Sequence, residues 1–161
     1  MTEASGSLTT EAVQVVFEIY AMVHDRLDAL LAALPSDATD WRPTDDCNSA
    51  AVLLTHTLAA EREVLSVVTG ERTTRSRSDE FEAKGLSLQE LREDLYATRR
   101  QFEMARSLLT TEHLLRRTAR RDTPQSGLRW LVWNAGHSRE HLGQLELLRD
   151  LFKAMPSSPG A

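Results

Sequence analysis

Apolar residues recur every three or four positions through four long segments of the 161-residue chain, and this period constrains the fold more than any other feature. In the first segment, from Leu8 to Leu34, the period is carried by Val13, Val16, Phe17, Tyr20, Val23, Leu27, Leu30 and Leu31. Such spacing places the apolar side chains on one face of an α-helix. Thr9 or Thr10 is the predicted N-cap, and Pro35 follows the predicted end.

Three further segments share this period. Helices are predicted over residues 50–68, from a capping box formed by Ser87 and Glu90 to about residue 109, and over residues 128–152. No segment shows the alternating pattern of a β-strand. Four helices of similar length, each with one apolar face, bury those faces best against one another. The predicted fold class is therefore all-α, a four-helix bundle with long crossover connections.

The connections and the chain ends are polar. Residues 71–86 lack periodicity and are predicted to form a long crossover loop, and the basic pairs within residues 116–121 are predicted to lie in a solvated loop. Residues 9–154 are predicted to form one domain, between a disordered N-terminus at residues 1–8 and a disordered tail at residues 155–161.

Charge and cysteine content exclude several classes of protein. The chain has 24 acidic and 19 basic residues, a formal net charge of −5, which disfavours nucleic acid and anionic membranes as partners. The single cysteine, Cys47, cannot form an intrachain disulfide and suits a reducing compartment. No apolar run approaches the ~20 residues that span a bilayer, and the N-terminus lacks the features of a signal peptide. The expected location is the cytoplasm.

His137 and His141, four residues apart in the last predicted helix, indicate the strongest candidate for a functional site. This spacing places both imidazoles on one helix face, where they can bind one divalent metal ion if another helix supplies a third ligand. His56, in the second predicted helix, is the candidate. The alternative interpretation of His56 is that it is a hydrogen-bonded histidine of the core. Three protein ligands would leave a coordination position open for water or substrate.

The order of these elements resembles the DinB-like superfamily, also called the DinB/YfiT-like metalloenzymes. The shared elements, in chain order, are Trp41-Arg42-Pro43 after the first helix, Ser49 at the start of the second, His56 two turns later, and His137, His141, Gly143 and Gln144 in the last helix. The resemblance covers nearly the whole domain. It implies a four-helix bundle that holds one divalent metal ion, zinc or nickel above all, with His56, His137 and His141 as ligands, and it implies a homodimer.

The resemblance also implies a range of activities. Characterised members include thiol-dependent transferases that use bacillithiol or mycothiol, and related isomerases and hydrolases. The thiol-dependent isomerase branch is disfavoured, since this chain lacks its carboxylate ligand and C-terminal extension. We therefore predict a metal-dependent thiol S-transferase acting on electrophilic small molecules, or a metal-assisted hydrolase. The alternative is a non-catalytic metal-binding stress-response protein. A third possibility is a helical interaction module without metal, in which the three imidazoles would lie far apart.

Several neighbouring residues are candidates for supporting roles. Glu140 is a candidate catalytic base, although a solvent-facing glutamate fits its position equally well. Asn134 and Gln144 are placed to orient an imidazole. Gly136 and Gly143 each cost about 1 kcal/mol in a helix, which suggests that a ligand or another helix approaches the backbone there.

Three residues outside the last helix complete the candidates. Glu63, seven residues after His56, shares its helix face and is a second candidate base. His24 is predicted to pack at the edge of the core, whereas His113 is predicted to be solvated.

Overall fold

The chain forms six helices and one short hairpin within residues 2–120 and 123–156, which are the residues that the computed structural model describes. The elements are α1 (Thr2–Ala33), α2 (Ala50–Thr69), α3 (Arg77–Phe81), α4 (Leu88–Leu108), α5 (Thr111–Leu115), β1 (Arg117–Arg120), β2 (Thr123–Ser126) and α6 (Gly127–Ala154), with a short 3-10 turn at Ser36–Ala38. The predicted all-α fold class is confirmed.

The four long helices, α1, α2, α4 and α6, form the bundle. α2 packs against α4 and α6, and α1 packs against the same two helices from the opposite side. α1 and α2 therefore lie on one diagonal of the bundle, and α4 and α6 lie on the other. The chain crosses the bundle between α1 and α2 and again between α4 and α6, as the long connections predicted.

Two apolar clusters fill the interior. One joins the C-terminal half of α1 to the first half of α2, the start of α4 and the end of α6, through leucines that include Leu27, Leu58, Leu95 and Leu145. The other joins the opposite ends of the same helices, around Phe17, Phe102 and Trp130. Between the two clusters, α2, α4 and α6 each carry one buried polar side chain, namely Glu61, Thr98 and Ser138.

Caps that are visible in the sequence set the starts of two bundle helices. Ser49 caps α2 by accepting a hydrogen bond from the Val52 amide. The Ser87–Glu90 capping box begins α4, with the Ser87 amide donating to Glu90 Oε2 at 2.8 Å. α2 ends at Gly70, whose φ of +89° is a left-handed conformation that favours glycine.

Helix α1 is longer than predicted. It begins at Thr2, so it extends through most of the segment that was predicted to be a disordered N-terminus, and it passes the predicted caps at Thr9 and Thr10. Nucleation of a helix is costly, whereas extension of an existing helix adds one hydrogen bond for each residue that is fixed. At the other end, α6 stops at Ala154. Residues 157–161 of the predicted disordered tail lie outside the described residues.

The prediction that the chain has no strand was wrong. Strands β1 and β2 pair antiparallel, with Thr118 opposite Gln125, so the basic residues from Arg117 to Arg120 lie in a strand and not in a loop. The Trp130 indole donates to the Thr118 carbonyl at 3.0 Å and ties the hairpin to α6. Strands of four residues that carry polar side chains give no alternating pattern, which is why periodicity missed them.

Among the described residues, no helix is both long and apolar enough to cross a membrane.

Candidate metal centre

The three predicted ligands meet at one point, where α2 packs on α6. The Nε2 atom of His137 lies 3.3 Å from Nε2 of His56 and 3.1 Å from Nε2 of His141. One ring nitrogen from each of the three lies within 4.8 Å of the others. His56 is buried and the other two are half-buried. The interaction-module alternative required splayed imidazoles, and the structure contradicts it.

The spacing of the nitrogens fits a shared metal ion. Zinc binds histidine nitrogen at about 2.0–2.1 Å, and tetrahedral geometry then places two ligand nitrogens about 3.4 Å apart. The measured separations of 3.1 and 3.3 Å agree with that value to within a few tenths of an ångström. Three imidazoles also match zinc, nickel and other borderline transition metals, while calcium and magnesium prefer oxygen ligands.

The outer nitrogens of two ligands are held by acceptors. His56 Nδ1 donates to Glu80 Oε2 at 2.9 Å, and His141 Nδ1 donates to the side-chain oxygen of Gln144 at 2.7 Å. A proton on Nδ1 leaves the Nε2 lone pair available to a metal ion. Gln144 makes the contact that its predicted orienting role requires, whereas Glu80 was not predicted from the sequence.

Arg75 joins two carboxylates beside His56. Its guanidinium donates to Glu80 Oε1 at 2.5 Å and Oε2 at 2.7 Å, and to Glu63 Oε2 at 2.5 Å. The Arg75 side chain is 9% exposed, so this network is largely shielded from water. Glu63, predicted as a candidate base, is therefore an ion-pair partner of Arg75.

Burial and these neighbours determine the charge states. Burial lowers the pKa of His56, and the Arg75 guanidinium lowers it further, against the opposing effect of the Glu80 hydrogen bond. Burial raises the pKa of Glu80, but the hydrogen bonds from Arg75 and His56 outweigh it and hold the pKa below its usual value. The site therefore combines a neutral imidazole, the form that binds metal, with an ionised carboxylate behind it.

The segment that carries Glu80 was predicted to be a structureless crossover loop, and that prediction was wrong at α3. The Phe81 ring lies 4.9 Å from the His56 ring, and the Arg77 guanidinium lies 5.4 Å from the Phe81 ring centre. These contacts hold the five-residue helix over His56 with Glu80 buried beneath it. The acidic and aromatic residues at 79–81 were the one local signal, but a helix this short has no period to detect.

Two other candidates have different surroundings. Asn134 accepts a hydrogen bond from the Tyr20 hydroxyl at 2.8 Å, so it anchors α6 to α1. Glu140 is exposed. Its catalytic role stays a prediction.

The remaining candidates are structural. His24 is only 1% exposed and pairs with Glu61, so it lies in the core and not at its edge. His113 Nδ1 takes part in the cap of α5, and its ring is half-buried. A side-chain atom added at Gly136 or Gly143 would meet nothing within 4 Å, so no group in the described part of the chain makes the predicted close approach to either glycine.

A cleft of about 840 Å³ opens beside the centre. His56 and His137 form part of its wall, and the other lining residues that matter below are Arg75, Arg77, Arg129, Val132, Trp130 and Trp133. A cavity of this size accommodates a drug-sized molecule. The candidate centre is therefore accessible from one side, which a closed structural metal site is not.

Comparison with known proteins agrees with this architecture. The family model of the DinB superfamily matches residues 19–145. A DinB-like protein of Bacillus subtilis, YjoA, superposes with a TM-score of 0.68 at 15% identity, over 88% of this chain and 94% of that one. A conserved protein of Enterococcus faecalis gives a TM-score of 0.74 at 16% identity, over 88% of this chain and 97% of that one. At these identities the two structures show the shared fold, and no curated protein matches the chain.

Proposed function

We propose that this chain, which belongs to the DinB superfamily, is a divalent-metal-dependent enzyme. The reaction we favour is transfer of a low-molecular-weight thiol, mycothiol or bacillithiol, to an electrophilic small molecule, with metal-assisted hydrolysis as the variant. One observation carries the proposal, the convergence of three imidazole nitrogens on the wall of an open cleft. Zinc and nickel are the metals we expect.

The residues around the proposed metal ion have separate roles. His56, His137 and His141 would hold the ion, and Glu80 and Gln144 fix two of the rings with their lone pairs inward. A bound dication lowers the pKa of a coordinated water or thiol and so supplies a nucleophile near neutral pH. The cleft admits the second reactant to the open side of the three histidines.

The lining of the cleft favours a thiol over water. No aspartate or glutamate in the described part of the chain lines it, and both carboxylates near the centre, Glu63 and Glu80, are held by Arg75. Activation of water by a protein base would need a free carboxylate or imidazole. A thiol has a pKa of about 8.5, far below the 15.7 of bulk water, and loses its proton with less help.

The first test is the metal content of the purified protein. We expect wild type to hold about one transition-metal ion per chain and His56→Ala to lose most of it. His113→Gln is a matched control, because it removes an imidazole that lies outside the three-histidine cluster. Equal metal content in wild type and His56→Ala would overturn the ligand assignment.

Turnover is the second test. Zinc- or nickel-loaded protein is mixed with mycothiol or bacillithiol and an alkyl bromide, and separately with a nitrophenyl ester. We expect thiol alkylation that depends on the metal and is lost in His56→Ala. Glu140→Gln, measured in parallel, tests the predicted catalytic role of Glu140. A metal-loaded protein that turns over neither substrate would be the non-catalytic metal-binding protein.

We also propose a homodimer through the outer face of α6. Gly136 and Gly143 lie on one face of this helix, and both are exposed. Leu147, four residues after Gly143 on the same helix face, is a large apolar side chain that is 60% exposed. A second copy packed there would cover them. The cytoplasmic location stays a prediction.

A further inference from the structure

We infer that the cleft selects a small molecule with an anionic group and an apolar body, and that Arg77 and Arg129 bind the anion. The inference rests on the proposed function in one respect, that the reactive end of this molecule reaches the three histidines. The binding itself depends on other residues, so it can be tested separately from the metal.

The charges of the cleft differ from those of the chain. Apart from histidine, every charged residue in its wall within the described part of the chain is an arginine, and these are Arg75, Arg77 and Arg129. The whole chain, in contrast, has 24 acidic residues against 19 basic ones. A positively charged cleft in an acidic protein focuses field lines and attracts anions to this one place.

The three arginines are not equivalent. Arg75 is largely buried and fully engaged by Glu63 and Glu80. Arg77 and Arg129 are exposed, and no ion pair with an acidic side chain involves either one in the described part of the chain. Arg77 also lies against the Phe81 ring, which limits its freedom. Two such guanidinium groups suit a carboxylate or a phosphate, which they can bind by paired hydrogen bonds.

The apolar wall is the second feature. The rings of Trp130 and Trp133 stack with their centres 5.7 Å apart and their planes 17° apart. Trp130 is buried and supports the pair, while Trp133 is 66% exposed and Val132 is 52% exposed. Large apolar side chains left open beside polar groups are typical of ligand pockets. The wall therefore fits an aromatic or aliphatic body attached to the anion.

The geometry links both features to the metal centre. His56 and His137 line the same cleft as Arg77, Arg129 and Trp133. A molecule anchored by its anion and its apolar body therefore presents another part of itself to the three histidines. Anchoring groups of this kind orient a reactant and raise its effective concentration at the reacting centre.

The test compares phenylpropanoate with phenylpropanamide, which has the same shape without the charge. Binding to zinc-loaded full-length protein is measured by calorimetry at low and high salt. We expect wild type to prefer the acid and Arg77→Gln/Arg129→Gln to lose about tenfold in affinity for the acid, with little change for the amide. Arg100→Gln is the matched control, because it removes an exposed arginine from α4, outside the cleft.

The same titrations on His137→Ala separate this inference from the metal proposal. A preference for the acid that persists in this variant and depends on Arg77 and Arg129 supports the inference even if no metal is bound. Three results overturn it, namely equal binding of acid and amide to wild type, an acid preference that survives the double arginine variant, or no binding of the acid at millimolar concentrations. Failure of wild type to bind zinc overturns the metal proposal alone.

Discussion

The bundle contains two clusters that include histidine, and they differ in what satisfies the rings. In the core, His24 is paired with a single carboxylate, with Nε2 2.8 Å from Glu61 Oε2 and both side chains almost fully buried. At the candidate metal centre, three imidazoles from α2 and α6 turn their Nε2 atoms toward one another beside an open cleft. The first cluster is closed to solvent, and the second is not.

The difference shows how a structural histidine can be told from a metal ligand. In the His24–Glu61 pair, one carboxylate oxygen accepts from the imidazole, and no second histidine takes part. At the candidate centre, Glu80 and Gln144 already occupy the outer nitrogens of His56 and His141. The inward lone pairs of these two rings both face Nε2 of His137. A proton on that atom can be donated to only one of them, whereas a shared cation would satisfy all three nitrogens. Burial and a nearby acid alone do not distinguish the clusters; the convergence of the nitrogens does.

The largest effect is expected for His137→Ala, which removes the ring at the middle of the three-histidine cluster. Structural zinc sites bind with roughly 12 kcal/mol, so one of three ligands accounts for about 4 kcal/mol, or a factor of about a thousand in affinity. We expect that loss in competition titrations with a chelating dye. Unchanged zinc affinity in this variant would show that His137 is not a zinc ligand and that the three-histidine cluster, like His24 and Glu61, is structural.

His24→Leu tests the other cluster. It leaves the Glu61 carboxyl buried without its partner, and breaking a buried pair in this way costs about 3–5 kcal/mol. We expect that drop in the free energy of unfolding, measured by urea on metal-free protein. Metal content should stay at that of wild type.

The double variant His24→Leu/Glu61→Leu is the matched control. It removes both buried polar groups together, and we expect it to recover much of the lost stability. A His24→Leu protein that folds with wild-type stability but loses its metal would assign His24 to the centre, contrary to the structure.

The sequence predicted the features that depend on local pattern. The four bundle helices follow from the apolar period, the start of α4 from the Ser87–Glu90 box, and the ligand triad from a histidine spacing together with a family resemblance. Each of these signals lies within a few residues of chain or recurs in a known order.

The parts that were missed depend on contacts between distant residues. Glu80 meets His56 across 24 positions, and Arg75 meets Glu63 across 12. Arg75 precedes α3, and α3 itself is shorter than two helical turns, so neither Arg75 nor Glu80 lies in a periodic segment. The hairpin likewise depends on pairing and on its tie to Trp130. Only the folded chain brings these groups together, so composition and spacing could not identify them.

Glu80→Ala sharpens the comparison by removing an outer contact while leaving all three ligands. Loss of the acceptor behind a metal-binding histidine typically costs 10–100-fold in metal affinity. We expect a loss in that range, smaller than for His137→Ala, in the same dye competition. Glu82→Gln, an exposed carboxylate two residues away, should have no effect. A Glu80→Ala protein with wild-type affinity would show that His56 needs no carboxylate to hold its ring.

The smallest expected effect concerns Gly143, which neither histidine cluster touches. Alanine is favoured over glycine in a helix by about 1 kcal/mol, so Gly143→Ala should stabilise an isolated chain by about that amount. If α6 packs against a second copy at this face, the added methyl group must also weaken the dimer. We therefore expect Gly143→Ala to shift sedimentation toward monomer while raising the unfolding midpoint of dilute protein. Gly85→Ala gives the opposite sign for stability, because Gly85 has a φ of +71°, a conformation that alanine adopts at a cost. Stabilisation of Gly143→Ala without any change in sedimentation would remove the argument for a partner helix at α6, and the three-histidine centre would then be complete within a single chain.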